Sequence, residues 1–162
     1  VNFARQHHAD LFISVHADSI DKSDVCGATI YTLSETASDK ESEKLANKEN
    51  RADIIAGLNL NSHNKDVANI LIDLAIRETT NQSRTLANTI VNNFNQAKIR
   101  LLERPHRFAG FAVLKAPDIP SVLMEIGYMS SDKDIELIRS SHYQEQLAKT
   151  LLTSIDRYFH QP

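Results

Sequence analysis

Strands and helices alternate along the chain. The alternation predicts an α/β fold, a mostly parallel twisted sheet flanked by helices in a single domain. Three observations support this. Short apolar, β-rich runs at 11–16, 27–33 and 122–126 have the length and composition of strands. Other stretches carry apolar residues at helical spacing, and Tyr143, Leu147, Leu151, Ile155 and Tyr158 form the cleanest stripe. The size, 162 residues with 41% hydrophobic and 24% charged, suits one globular domain with a substantial core.

Taken in order, residues 2–9 predict the end of a helix that feeds the first strand. Residues 11–16 read as a largely buried strand, closed by the loop chemistry of Ala17, Asp18 and Ser19. Residues 27–33 carry Ile30 and Tyr31, which suit a pleated surface. Ser38 and Glu41 have the spacing of a capping box. The helix they start is expected to reach Ala56 and to stop at Gly57, which tolerates a left-handed end. Residues 59–66 are polar and predict a loop, with Asp66 as the N-cap of a long helix. In that helix Val67, Ile70, Leu71 and Leu74 form one stripe, and Leu86, Ile90, Val91 and Phe94 continue it. Thr79 to Ser83 is polar enough to be solvated or bent. Residues 111–115 and 122–126 read as strands, with Pro117 and Pro120 forbidding regular structure between them. Ser130 or Ser131 caps a short helix reaching Ile138, and the last helix follows.

Charge and motif content narrow the function. With 18 basic and 21 acidic residues the net charge is −3, which lacks the basic footprint of a nucleic-acid binder. The lone Cys26 excludes an intrachain disulfide and a Cys-rich zinc site. No apolar run approaches the roughly 18 residues of a membrane span. Neither a Gly-rich phosphate loop nor a G-x-S-x-G nucleophile turn is present. The chain opens on Val1 rather than Met, as expected where processing or trimming has removed something.

Four residues stand out as carriers of chemistry. His16 ends its strand, and ligands in open α/β sheets gather beyond the carboxyl ends of strands. Its imidazole suits zinc, copper or iron, although a hydrogen-bonded rim histidine reads the same way. Glu125 is a carboxylate inside the apolar run 122–126. If it points inward, burial demands a partner and raises its pKa toward that of a general base; if outward, it is a surface residue. Asp18, two residues after His16, either turns toward the same point or caps its loop. Glu49 falls on a stripe with Leu45, Ala52 and Ala56, where it either meets a cation or is solvated beside a lysine. Arg104 and Arg107 face either an anionic ligand or solvent. His7, His8, His63, His106, His142 and His160 show no metal-ligand spacing.

Together these segments resemble a known family. Residues 9–18, from Ala9 through His16 to Asp18, resemble the zinc-histidine strand of the amidase-3 family, the N-acetylmuramoyl-L-alanine amidases of cell-wall turnover. Residues 111–115 and 120–130 resemble its catalytic-glutamate strand and the loop after it. The stretch 41–94 is similar to the insertion of the periplasmic cell-division subgroup, the AmiA/AmiB/AmiC type. The resemblance implies a zinc ion held by two histidines and a glutamate. His16 is the one position of those three that carries over, since the other two lie upstream of the histidine strand. Residues 1–162 are then expected to be the larger, C-terminal part of the catalytic domain, with a helical regulatory insertion at 36–80. The resemblance further implies Glu125 as catalytic base, Asp18 as an extra zinc ligand and Glu49 as an inhibitory ligand from the inserted helix. The implied reaction is hydrolysis of the amide between N-acetylmuramic acid and L-alanine of peptidoglycan in the periplasm. A LytM-domain activator is expected to displace the helix about a hinge at 59–66; neither nucleic acid nor a membrane span is expected. The competing readings are a non-catalytic module that docks to wall or activator, and another zinc hydrolase on a related scaffold.

Overall fold

The computed structural model describes residues 2–55 and 69–160. Helix α1 (Asn2–Gln6) leads to strand β1 (Phe12–His16), then β2 (Ala28–Leu33) and helix α2 (Lys40–Ile55). Helix α3 (Asn69–Gln96), strand β3 (Leu101–Ala109), a 3-10 turn (Ala112–Leu114) and strand β4 (Ser121–Glu125) follow. Helices α4 (Asp132–Arg139) and α5 (Ser141–Phe159) close the chain. The predicted stop at Gly57, the loop 59–66 and the Asp66 cap lie outside the described residues. No described helix is long and apolar enough to cross a membrane.

The four strands form one sheet in the order β1-β4-β2-β3. β1 with β4 and β2 with β3 are parallel, and β2 with β4 is antiparallel, so the expected mostly parallel sheet carries one reversed pairing. Strand alternation sorts the core into two layers. Ile30, Val122 and Met124 point to one face, against Leu86, Ile90 and Phe94 of α3 and Tyr143 and Leu147 of α5. Tyr31 and Leu123 point to the other, against Leu45 and Ala46 of α2 and Phe111 and Leu114. Glu125 is two residues beyond Leu123 and therefore faces the α2 side.

The structure corrects three local expectations and adds one strand. Helix α2 is capped by Asp39, whose Oδ1 accepts the Ser42 backbone N–H at 2.8 Å, rather than by a Ser38–Glu41 box. The Ser38 hydroxyl is instead taken by the Phe108 backbone N–H. Residues 111–115 are a 3-10 turn and not a strand. The side chain of Asn50 on α2 bonds both Gly110 O and Ala112 N there, satisfying backbone that a ladder would otherwise need. Thr79 and Ser83 are buried rather than solvated, and the Ser83 hydroxyl accepts the Ser121 N–H at the start of β4. Finally, β3 is a strand that the sequence conceals. It lies at the sheet edge and carries Glu103, Arg104 and Pro105, and Pro is tolerated there because an edge strand leaves N–H groups unpaired.

The buried Asp134 ties the strand ends together. Its Oδ2 accepts the backbone N–H of both Gly27 and Tyr128 at 2.9 Å. Gly27 has φ +111°, and an added Cβ there would sit 2.8 Å from the Leu101 carbonyl carbon. Only glycine fits both the conformation and the space.

Candidate metal centre

His16 and Glu125 are direct partners in the parallel β1–β4 ladder, so both side chains leave the sheet on the same face at its carboxyl end. The chain turns immediately after His16, and the Asp18 backbone N–H donates to Glu125 Oε2 at 3.0 Å. The Ile126 N–H bonds back to His16 O, which keeps the two strand ends in step. His16, Asp18 and Glu125 thereby present ligand atoms that all lie within 4.8 Å of one another. From the helix above, Glu49 Oε2 reaches 3.2 Å from His16 Nδ1, and Asp18 Oδ2 lies 3.5 Å from the same nitrogen. The structure thus brings together all four residues singled out from the sequence.

Two neighbours complete the surroundings. Lys48 Nζ contacts Asp18 Oδ1 at 3.0 Å and also donates to Ser19 O. The Ser14 hydroxyl lies 2.8 Å from His16 Nε2, two residues along the same strand face. Neither was foreseen. Ser14 alternates with His16 and was legible in principle, whereas Lys48 meets a partner thirty residues away in sequence. Among the described residues no other histidine joins the cluster; His106 instead sits between Thr32 and Asn88.

Electrostatics follow from this packing. Glu125 is fully buried, and burial pushes its carboxyl up to about 8 against the lowering pull of the Asp18 N–H. Burial also works against ionisation of Asp18, but the adjacent His16 imidazole and the Lys48 ammonium outweigh it and hold this carboxyl well below its usual range. The adjacent Asp18 carboxylate raises the His16 imidazole, in spite of burial. Glu49 is raised by burial and by the nearby Asp18 charge. Neighbouring carboxyls pushed apart in this way are the pattern of an acid–base site.

A divalent cation fits the donor set. Asp18 Oδ2 and Glu125 Oε1 are buried with no hydrogen-bond partner among the described residues. Orphaned buried carboxylate oxygens are costly unless something positive satisfies them. One imidazole nitrogen with carboxylate oxygens is a combination that zinc accepts.

Comparison with known proteins gives a consistent result. The family model described as N-acetylmuramoyl-L-alanine amidase matches residues 1–157. N-acetylmuramoyl-L-alanine amidase AmiA of Salmonella typhimurium is 33% identical over 161 residues, covering 99% of this chain and 55% of the relative. N-acetylmuramoyl-L-alanine amidase AmiC of Escherichia coli is 31% identical over 157 residues, covering 96% of this chain and 37% of the relative. The chain thus spans about half the length of these relatives, or less. Among solved structures, the CwlD amidase of Clostridioides difficile in complex with the GerS lipoprotein superposes with a TM-score of 0.65. That match has 18% identity and covers 98% of this chain and 58% of the other, a likeness of fold.

Proposed function

Because this chain belongs to the N-acetylmuramoyl-L-alanine amidase family, we propose that it acts in zinc-dependent cleavage of the amide between N-acetylmuramic acid and L-alanine of peptidoglycan. The observation that carries the reading is the convergence of His16, Asp18 and Glu125 at the carboxyl ends of two adjacent strands. Their two orphaned oxygens support a cation there.

His16 and Asp18 would hold the zinc from this chain. Zinc in such a site supplies Lewis acidity that polarises the scissile carbonyl and lowers the pKa of water. Glu125 is the base. Burial raises its carboxyl in the metal-free chain, and a cation held beside it would favour the carboxylate form, which takes a proton from water and returns it to the departing amine of L-alanine. The Asp18 N–H holds one Glu125 oxygen in place and leaves Oε1 free for that transfer.

Glu49 makes the same site self-limiting. Its carboxylate lies 3.2 Å from Nδ1 of His16, a residue that would hold the metal, and Lys48 pins the helix to Asp18 and Ser19. In this reading residues 36–80 are a regulatory insertion within the catalytic domain. An activator of the LytM-domain class draws α2 away and shifts the population toward an open state. The setting is the periplasm, in wall remodelling and cell separation. The test is digestion of purified peptidoglycan, with chromatography for free peptides bearing N-terminal alanine and elemental analysis of the protein. The expected result is such peptides and about one zinc per chain. Metal-free protein that only binds the wall would replace the enzyme by a docking module.

A further inference from the structure

A second feature lies beside the metal-ligand cluster. A cavity of about 230 Å³ opens between the N-terminal half of α2 and strand β3, lined by Lys22, Tyr31, Asp39, Arg104, Arg107 and Tyr128 among others. It adjoins the cluster along three elements. Its wall includes Ile20, two residues beyond Asp18; Tyr128, three beyond Glu125; and Leu45, one turn of α2 before Glu49.

The charged lining of the cavity leans positive. Three cationic side chains line it against two carboxylates, Asp39 and Glu41. Lys22 is committed to Glu41 at 2.7 Å. Arg107, mostly buried, contacts Asp39 Oδ2 at 3.1 Å, and its Nε donates to Arg104 O. Among the described residues the Arg104 side chain has no ion-pair or hydrogen-bond partner. Tyr31 and Tyr128 line the same wall, with their hydroxyls paired to each other at 3.3 Å. Asp39 already shows that a carboxylate packs here against a guanidinium. Arginine's planar fork matches carboxylate geometry better than a point charge does.

We infer that this cavity is a carboxylate subsite: Arg104 and Arg107 receive an acidic group of the peptide portion of the substrate, in the place that Asp39, the cap of α2, now takes. The inference rests on the amidase reading for its choice of ligand. It adds that the helix carrying Glu49 also fills the peptide's anion site with a stand-in of its own. Substrate and helix then compete at two points rather than one.

Two variants with opposite expected signs test it. Asp39→Asn removes the competing charge but keeps the cap, because asparagine caps helices as well as aspartate. Arg104→Gln removes an exposed cation at the cavity mouth without disturbing the core. The probe is a fluorescent short peptide beginning with L-alanine and bearing free carboxylates, paired with a twin whose carboxylates are carboxamides. Binding is read by anisotropy, which needs no turnover. Asp39→Asn is expected to tighten the acidic probe and Arg104→Gln to weaken it, each by roughly two- to five-fold, the range of exposed ion pairs. The carboxamide twin should bind weakly and equally to all three proteins. Equal binding of the acidic and carboxamide probes overturns the subsite, as does a shift of the same sign in both variants. Opposite shifts in a protein that fails to digest peptidoglycan keep the subsite and remove the amidase reading. Digestion with no shifts does the reverse.

Discussion

Replacing Glu125 by glutamine separates stability from catalysis. The side chain keeps its shape, and the amide oxygen can still accept the Asp18 N–H that now reaches Oε2. What it loses is a titratable, fully buried carboxyl. Burial holds that carboxyl near 8 in the folded chain, against an ordinary value of 4.5. The folded state therefore binds the proton more tightly, so its contribution is fully present below pH 4.5 and is lost as pH rises toward 8. At about 1.4 kcal/mol per unit, the gap between 4.5 and neutral pH corresponds to a burden on the order of 3 kcal/mol in metal-free protein. Glu125→Gln should lift it. Urea denaturation with a chelator present should show similar stabilities near pH 4.5, with the variant ahead by a widening margin toward pH 8. The same variant should lose roughly 10²–10⁴-fold in stem-peptide release, the range for a general base, with bound metal retained. A variant less stable than wild type at pH 8 would refute the burial argument, and undiminished hydrolysis would refute the role as base.

Three further outcomes are expected. Glu49→Ala should raise basal release of stem peptides several-fold without an activator, measured on purified peptidoglycan; no rise removes Glu49 from regulation. Asp134→Ala leaves the buried Gly27 and Tyr128 N–H groups without their acceptor and should cost on the order of 3 kcal/mol, read as a fall in urea midpoint at unchanged slope. His106 is lowered from its ordinary 6.5 by burial and by Arg84, so it resists protonation in the fold. The stability it contributes is present above pH 6.5 and declines as pH falls through the folded value. An NMR titration should place its midpoint below 6.5, and a midpoint at or above that value contradicts the packing described.

The site was more legible in the sequence than its surroundings. His16 and Glu125 were visible because each is a polar residue at the end of an apolar run, where a sheet buries its neighbours and collects ligands. Glu49 was visible because it interrupts an apolar stripe at helical spacing, and it does meet His16. β3 was hidden for the opposite reason: an edge strand has little apolar demand, and Glu103, Arg104, Pro105 and His106 carry no strand pattern. Residues 111–115 misled because Phe111, Val113 and Leu114 have strand composition. Their backbone bonds are set by Asn50, sixty residues away, which no local pattern reveals. The same limit applies to Lys48 on Asp18 and to Arg107 on Asp39, whose partners are fixed only by tertiary packing.

The ladder that pairs His16 with Glu125 also orders events in refolding. Its two strands lie more than a hundred residues apart, so the β1–β4 register forms only after a long loop has closed. Metal capture then reports the completed topology rather than nucleating it. Zinc added at the start of refolding should leave the folding rate unchanged and slow only the unfolding limb of a chevron plot.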